Sequence, residues 1–167
     1  MTDKQNNVFK IGDYVVYPAH GVGKLLAIES HEIAGQKVEL FVINFERDRM
    51  TLRLPTQKAQ NAGLRQISSK DSFSSVLDKL SVKTKPRRVM WSRRAQEYEN
   101  KINSGDPVAI AEVVRDLFRN QNDSDQSYSE RQIYQAAIDR LAREFAVVES
   151  IDENEAIDKM EAIMRVA

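Results

Sequence analysis

The sequence predicts an α+β protein, in which a small N-terminal antiparallel β-barrel is followed by an all-helical C-terminal domain. Residues 8 to about 67 contain short β-branched and aromatic segments between glycine, proline and polar turns, a pattern typical of a barrel of about five strands. After Gly63 the apolar residues recur at spacings of three and four, which indicates helices. We therefore expect a barrel domain over residues 1–67 and a helical domain over residues 68–167.

The first half contains four segments with the composition of β-strands: Tyr14–Tyr17, Leu25–Ile33, Val38–Phe45 and Met50–Leu54. Between the first two, the glycine-rich stretch His20–Gly23 is interpreted as a turn, because it lacks the Lys-Ser/Thr of a phosphate-binding loop. In the last segment Met50, Leu52 and Leu54 share one face, so Arg53 points the other way.

The proline after the last segment bears on function. Pro55 cannot donate a hydrogen bond to a strand ladder, so this strand is expected at a sheet edge. Such an edge can accept a strand from another protein. Alternatively, Arg53 only protects the edge against aggregation. The residues alone leave both interpretations open.

Capping residues predict five helices in the second half. Their expected starts are Ser69 or Asp71, Pro86, Asp106–Pro107, Ser127 and Asp152. The second of these helices is predicted to run from Pro86 to about Asn103. Residues 81–85 before it are expected to form a linker, because the residue before a proline resists helical geometry.

Composition excludes several classes of protein. The chain has no cysteine, and its two histidines stand without companion ligands, so we expect no metal site and no cofactor. The polar start lacks the apolar core of a signal peptide, and no apolar run is long enough for a bilayer; we expect a cytoplasmic protein that does not bind membranes. No nucleophile, acid or base arrangement stands out, so we expect no enzymatic activity.

The net charge of zero conceals a strongly basic stretch, Lys79–Gln96, with seven cationic residues and no acidic one. Trp91, the only tryptophan, lies between two arginine pairs. Cations around a flat ring suit a nucleic-acid surface, because they neutralise phosphates while the ring stacks or wedges between bases. However, Trp91, Ala95, Tyr98 and Ile102 also form one helical stripe. Periodicity therefore leaves open whether Trp91 is a core residue or an exposed one.

Three stretches resemble the CarD family of bacterial transcription regulators. Phe9–Gly23 is similar to the opening of the family, Trp91-Ser-Arg-Arg94 resembles its tryptophan–arginine motif, and Ala111–Phe118 matches a third landmark. Leu141–Glu144 lies where the long helix of the family would continue. The landmarks follow the order of the family, so the resemblance covers almost the whole chain.

The resemblance implies a Tudor-like barrel that binds lobe 1 of the RNA polymerase β subunit, and a helical domain that contacts promoter DNA at the upstream edge of the transcription bubble. Trp91 would be the minor-groove wedge, and Arg93 and Arg94 would contact phosphates. Ala95 replaces a lysine of some relatives, so we expect the phosphate contacts to be shared with the cations before Trp91, namely Lys85, Arg87 and Arg88.

On the barrel, the resemblance implies four polymerase-binding residues: Arg53, Pro55, Val42 and His31, the last of which stands where some relatives carry arginine. We expect a monomeric, non-enzymatic transcription regulator that stabilises the open promoter complex. The alternative is a stand-alone nucleic-acid-binding module with an RNA-binding barrel and no polymerase partner. Such barrels usually present aromatic side chains on strand faces within basic surroundings, whereas here the cations cluster outside the barrel.

Overall fold

A computed structural model of the chain describes residues 9–83, 90–121 and 127–166. The chain forms two compact units, Met1–Ile67 and Ser68–Ala167, here called the sheet unit and the helical unit. Each has its own hydrophobic core, and the two cores share no residue. The predicted α+β class is confirmed, because the described strands all lie in the sheet unit and the long helices all lie in the helical unit.

The sheet unit is a five-stranded antiparallel sheet. Its strands are β1 (Tyr14–Tyr17), β2 (Gly21–Ile33), β3 (Gln36–Phe45), β4 (Met50–Pro55) and β5 (Arg65–Gln66), in the order β4-β3-β2-β1-β5. The prediction that β4 lies at an edge is confirmed. The described residues contain no ladder between β4 and β5, so the sheet is open where we expected a closed barrel. β5 has only two residues, and the short helix α1 (Thr56–Ala59) lies between it and β4 in the chain.

The prediction of a glycine turn at His20–Gly23 is wrong for its last three residues. Gly21–Gly23 already belong to β2 and pair with β1, and the turn lies at 18–20. At Gly23 a Cβ atom would lie 2.7 Å from the Ile43 side chain and 2.8 Å from that of Phe45. This glycine therefore serves close packing of β2 over the core.

The helical unit contains five helices: α2 (Lys70–Leu80), α3 (Trp91–Asn103), α4 (Pro107–Gln121), α5 (Tyr128–Glu149) and α6 (Glu153–Val166). Four of them begin where capping residues predict. Between the two alternatives for α2, the cap is Ser69, whose hydroxyl accepts from the Ser72 N–H. Side chains of Asp106, Ser127 and Asp152 accept backbone N–H groups at the starts of α4, α5 and α6.

The predicted start of α3 at Pro86 is wrong. Met90 has an extended backbone (φ −51°, ψ 136°), and its carbonyl accepts the N–H groups of Arg93 and Arg94 at 3.1 Å. The helix therefore begins at Trp91. The indole packs against the helical core, which favours a helix start at this residue. Residues 84–89 lie outside the described part of the chain.

The core of the helical unit joins all five helices. The Phe73 ring from α2 stacks on Phe145 from α5, with centroids 5.1 Å apart. Glu144, the residue before Phe145 in α5, is buried, and its carboxylate accepts hydrogen bonds from the N–H and hydroxyl of Ser68 at 2.9 and 2.8 Å. No helix among the described residues is long and apolar enough to cross a membrane.

Candidate functional site

The four residues expected to contact polymerase lie on one face of the sheet, opposite the core; we call it the outer face. In β4 the core side chains are those of Met50, Leu52 and Leu54, so Arg53 and Pro55 point to the other side. Val42 pairs with Arg53, and His31 pairs with Val38 four residues before Val42. Since strand side chains alternate, His31 and Val42 face the same way as Arg53.

Val42 differs from the other three in its exposure. It lies in register between Ala27 of β2 and Arg53 of β4 and is only 6% exposed. The neighbours on the outer face cover it, because cross-strand side chains stand about 5 Å apart. Val42 therefore supports the Arg53 side chain and offers little surface of its own to a partner.

An acidic residue, Glu29, lies between two of the candidates, Arg53 and His31, on the outer face. The Nε of Arg53 donates to Oε1 of Glu29 at 3.1 Å, and His31 Nε2 lies 3.5 Å from the other oxygen. The hydrogen bond from Arg53 lowers the pKa of the Glu29 carboxyl. Arg53 remains 55% exposed, so its guanidinium is oriented by Glu29 and still accessible to a partner.

Sequence reasoning missed Glu29. The available signal was its position two residues before His31 in a strand, which places both side chains on one face. Its partner Arg53 is 24 residues away in the chain, so the ion pair itself could be found only from the register of β2, β3 and β4.

The second candidate surface is the start of α3, residues 90–94, which we call the Trp91 tip. The Trp91 side chain is half-buried and packs against the helical core, whereas Tyr98 and Ile102 further along the same stripe are buried. Met90, immediately before it, is 77% exposed. The apolar stripe of α3 therefore ends at the surface, where Trp91 combines core contacts with an accessible part of its ring.

The charge of the tip opposes helix stability. The first turn of α3 contains Arg93 and Arg94 and no acidic residue, although the N-terminal end of a helix carries partial positive charge and favours anions. Met90 also provides no side-chain cap. The N–H groups at the helix start, the helix dipole and the guanidinium groups of Arg93 and Arg94 thus concentrate positive potential at the Trp91 tip, an arrangement that favours a phosphate.

The two arginines occupy different environments. Arg93 is exposed, whereas Arg94 is half-buried, and the guanidinium carbon of Arg94 lies 5.5 Å from the centroid of the Trp91 ring. The Nε1–H of Trp91 donates to the Ser129 hydroxyl of α5 at 3.4 Å. No sequence pattern indicates Ser129, because the contact spans 38 residues and depends on how α3 and α5 pack.

The remaining expected DNA contacts, Lys85, Arg87 and Arg88, lie outside the described residues. Within the described ranges, no group of three or more histidine, cysteine, aspartate or glutamate side chains is arranged to hold a metal ion.

Comparison with known proteins gives matches to both units. Residues 75–161 match the family model "CarD, C-terminal domain", and residues 9–68 match "CarD-like/TRCF RID domain". The chain is 30% identical over 148 residues to the putative transcription factor YdeB of Bacillus subtilis, covering 89% of this chain and 97% of YdeB.

A solved structure is also similar in sequence: the solution structure of the 72-residue N-terminal domain of Myxococcus xanthus CarD. The two are 36% identical, over 35% of this chain and 77% of the domain, with a TM-score of 0.31. That score is too low for the likeness to bear on the fold.

Proposed function

The chain belongs to the CarD family of transcription factors, and from this premise we propose that it joins the RNA polymerase β subunit to promoter DNA and stabilises the open promoter complex. The sheet unit binds lobe 1 of the β subunit, and the Trp91 tip contacts DNA at the upstream edge of the transcription bubble. The protein acts by binding, without an enzymatic step or a cofactor.

One observation carries this proposal: two chemically different surfaces stand on two units with separate cores. The outer face presents an edge strand with an oriented arginine, which suits a protein partner. The Trp91 tip presents a half-exposed indole among cations, which suits a duplex whose bases are partly unstacked. A protein with one surface of each kind is suited to bridging.

For the polymerase side, the open backbone of β4 and the exposed Arg53 beside it are the proposed contact. A strand of the lobe would extend the sheet at β4. Arg53, Pro55 and His31 would contact the side chains of that strand from the outer face. Val42 would contribute indirectly, because it lies opposite Arg53 in register and supports that side chain.

For the DNA side, the Trp91 ring would enter the minor groove beside an unstacked step, and Arg93 would neutralise a neighbouring phosphate. Arg94, together with Lys85, Arg87 and Arg88, would add to the positive field that draws the backbone towards the tip. Binding of this type is weak by itself, steeply dependent on salt and indifferent to sequence.

The test measures polymerase binding and open-complex lifetime for the parent, Arg53→Glu and Trp91→Ala. We expect Arg53→Glu to lose polymerase binding and therefore to fail to prolong the open complex. We expect Trp91→Ala to bind polymerase normally but to shorten the open-complex lifetime. If Trp91→Ala supports the parent lifetime, DNA wedging is not its function. If Arg53→Glu binds the lobe like the parent, the polymerase surface lies elsewhere.

One observation favours a second candidate function, RNA binding by the sheet unit. Tyr14 is exposed on the strand next to Lys24, whose Nζ lies 5.7 Å from the centroid of the ring. A base could stack there, but sheet-based RNA readers typically use two or three aromatic side chains. Tyr14→Ala separates the candidates: it should weaken RNA binding if the sheet reads RNA, and it should leave promoter-complex lifetime unchanged.

A further inference from the structure

We propose that Arg94 is a positioning residue for the Trp91 indole, and that Arg93 alone of this pair contacts a phosphate. The two arginines are adjacent and chemically identical, so the sequence assigns them one role. The structure separates them: Arg93 is exposed, and Arg94 is half-buried against two aromatic rings. This inference deepens the proposed function and rests on it for the DNA measurements only.

The guanidinium of Arg94 contacts the Trp91 indole and the Tyr98 ring at the same time. Its guanidinium carbon lies 5.5 Å from the Trp91 centroid and 5.6 Å from the Tyr98 centroid, within the range of cation–π attraction. The two ring centroids are 6.2 Å apart. A planar guanidinium that faces both rings restricts the rotation of the indole.

Arg94 is itself anchored in the helical unit. Its Nη2 donates to the Tyr98 hydroxyl at 3.0 Å, and that hydroxyl lies 3.5 Å from a carboxylate oxygen of Asp116 in α4. Burial raises the pKa of Tyr98, so the phenol keeps its proton and can donate to Asp116 while it accepts from Arg94. Asp116 is held in turn by the Nε of Arg115 at 3.3 Å.

Ser129 completes the arrangement from a third helix. Its hydroxyl accepts the Trp91 Nε1–H at 3.4 Å, so the indole is restrained at its edge by α5 and over its face by Arg94. A wedge that enters a groove in a fixed orientation has less conformational entropy to lose on binding. Arg94 thereby contributes to DNA binding through the orientation of Trp91.

Lysine cannot replace arginine in this role. Its ammonium has the same charge but is a compact point charge on a flexible stem, and it lacks the planar surface that contacts both rings. Arg94→Lys therefore separates the loss of position from the loss of charge. Arg93→Lys is the matched control, because Arg93 is exposed and the charge is equally conserved.

The first measurement is fluorescence of the free protein with its full chain, in which Trp91 is the only tryptophan. For Arg94→Lys we expect a red-shifted emission, a lower anisotropy and a larger acrylamide quenching constant. Arg93→Lys should give the parent values. Parent-like emission and quenching for Arg94→Lys would overturn the proposal.

A second variant guards against a folding defect at position 94. Tyr98→Phe keeps the buried ring and removes the hydroxyl that accepts from Arg94. It should also raise the quenching constant of Trp91, by a smaller factor than Arg94→Lys. A folded Tyr98→Phe protein with the quenching of the parent would contradict the anchoring role of Tyr98.

The DNA measurement uses the polymerase–promoter complex. Arg93→Ala should lower the log–log salt slope of binding by roughly one unit, as for one lost phosphate contact. Arg94→Lys should shorten the open-complex lifetime and leave the slope unchanged. If Arg94→Ala lowers the slope as Arg93→Ala does, with Trp91 fluorescence unchanged, Arg94 is a phosphate contact. If the proposed function fails, no variant affects the lifetime, while the fluorescence differences persist.

Discussion

At the scale of single residues, Trp91 is both a core contact and a partly exposed side chain, the two alternatives that the helical periodicity left open. It packs against the helical core and is half-buried, so it contributes to stability without being a fully buried residue. Its accessible part faces solvent beside the exposed Met90. We therefore expect truncation of Trp91 to have a small effect on folding and, under the proposed function, a large one on promoter opening.

For Trp91→Ala we expect a loss of unfolding free energy on the order of 1–2 kcal/mol, below the ~3–5 kcal/mol of a fully buried tryptophan, and a clearly shortened open-complex lifetime. Thermal or urea unfolding and promoter-complex decay measure the two effects. The matched control is Ile102→Val, on the same stripe of α3, which should cost about 0.5–1.5 kcal/mol and leave the lifetime unchanged. If the open-complex lifetimes of Trp91→Ala and Ile102→Val are equal, the shortened lifetime of Trp91→Ala results from lost folding stability alone.

Arg53→Glu should abolish binding to the β-subunit lobe, because it reverses the exposed charge on the outer face and sets a carboxylate against Glu29. Stability should change by no more than about 0.5 kcal/mol, as is usual at the surface. A pull-down with the isolated lobe measures binding. Lys37→Glu, a charge reversal at an exposed β3 position on the other side of the sheet, should bind like the parent.

The ion pair of Glu29 has a pH signature. Because Arg53 lowers the pKa of the Glu29 carboxyl, the contribution of the pair is fully present above the unfolded-state pKa and is lost as the pH falls through the folded-state value. Arg53→Ala should therefore raise the pKa of Glu29, which carboxyl-detected NMR titration measures. An unchanged pKa in Arg53→Ala would show that the two side chains do not pair in solution.

At the scale of elements, the junction of α2 with α5 depends on a buried carboxylate. Glu144 is 4% exposed and accepts two hydrogen bonds from Ser68, just before the cap of α2. A carboxylate that accepts in this way fixes the segment that leads into α2 against the long helix α5. Phe145, the next residue of α5, stacks on Phe73 of α2 and adds a second contact between the two helices.

Glu144→Ala should lower the unfolding free energy by about 1.5–3 kcal/mol, the usual range for hydrogen bonds to a charged group. Ser68→Ala should cost less, because the backbone N–H of residue 68 still donates. Urea unfolding of the full chain measures both. Gln132→Ala, at an exposed position of α5, is the control and should stay within about 0.5 kcal/mol of the parent.

At the scale of the whole molecule, the two separate cores predict two separate folding units. The sheet unit packs around Phe41, Ile43 and Phe45, and the helical unit around residues of α2 to α6. We propose that residues 1–67 and 68–167 are independent domains. The proposed bridging function would require that both be joined in one chain, because the linkage raises the local concentration of one contact once the other has formed.

Fragments 1–67 and 68–167, expressed alone, should each give a cooperative thermal transition and dispersed amide resonances. Fragment 68–167 should fail to prolong the open complex at concentrations at which the full chain does so, because it lacks the polymerase contact. An unfolded fragment would contradict the domain division. A fully active fragment 68–167 would show that the sheet unit is not needed for recruitment.

The local features of this protein can be predicted from neighbouring residues in the sequence. The caps of α2, α4, α5 and α6 follow from interactions between residues two or three apart in the chain, which the local sequence specifies. The alternation in β4 follows from the order of its apolar and polar residues. Its place at a sheet edge follows from Pro55, which cannot donate to a strand ladder. The basic stretch and its single tryptophan are likewise evident from the order of the residues alone.

The way in which distant residues act together depends on tertiary packing, which no local pattern specifies. Packing decides that α3 starts at Trp91 and that Gly23 serves close packing of β2. Two contacts join residues more than 20 positions apart in the chain: the ion pair of Arg53 with Glu29 and the hydrogen bond of Trp91 with Ser129. The different environments of Arg93 and Arg94 likewise depend on packing. Adjacent residues of a helix point about 100° apart, so identical side chains meet solvent or rings according to what the neighbouring helices place beside them.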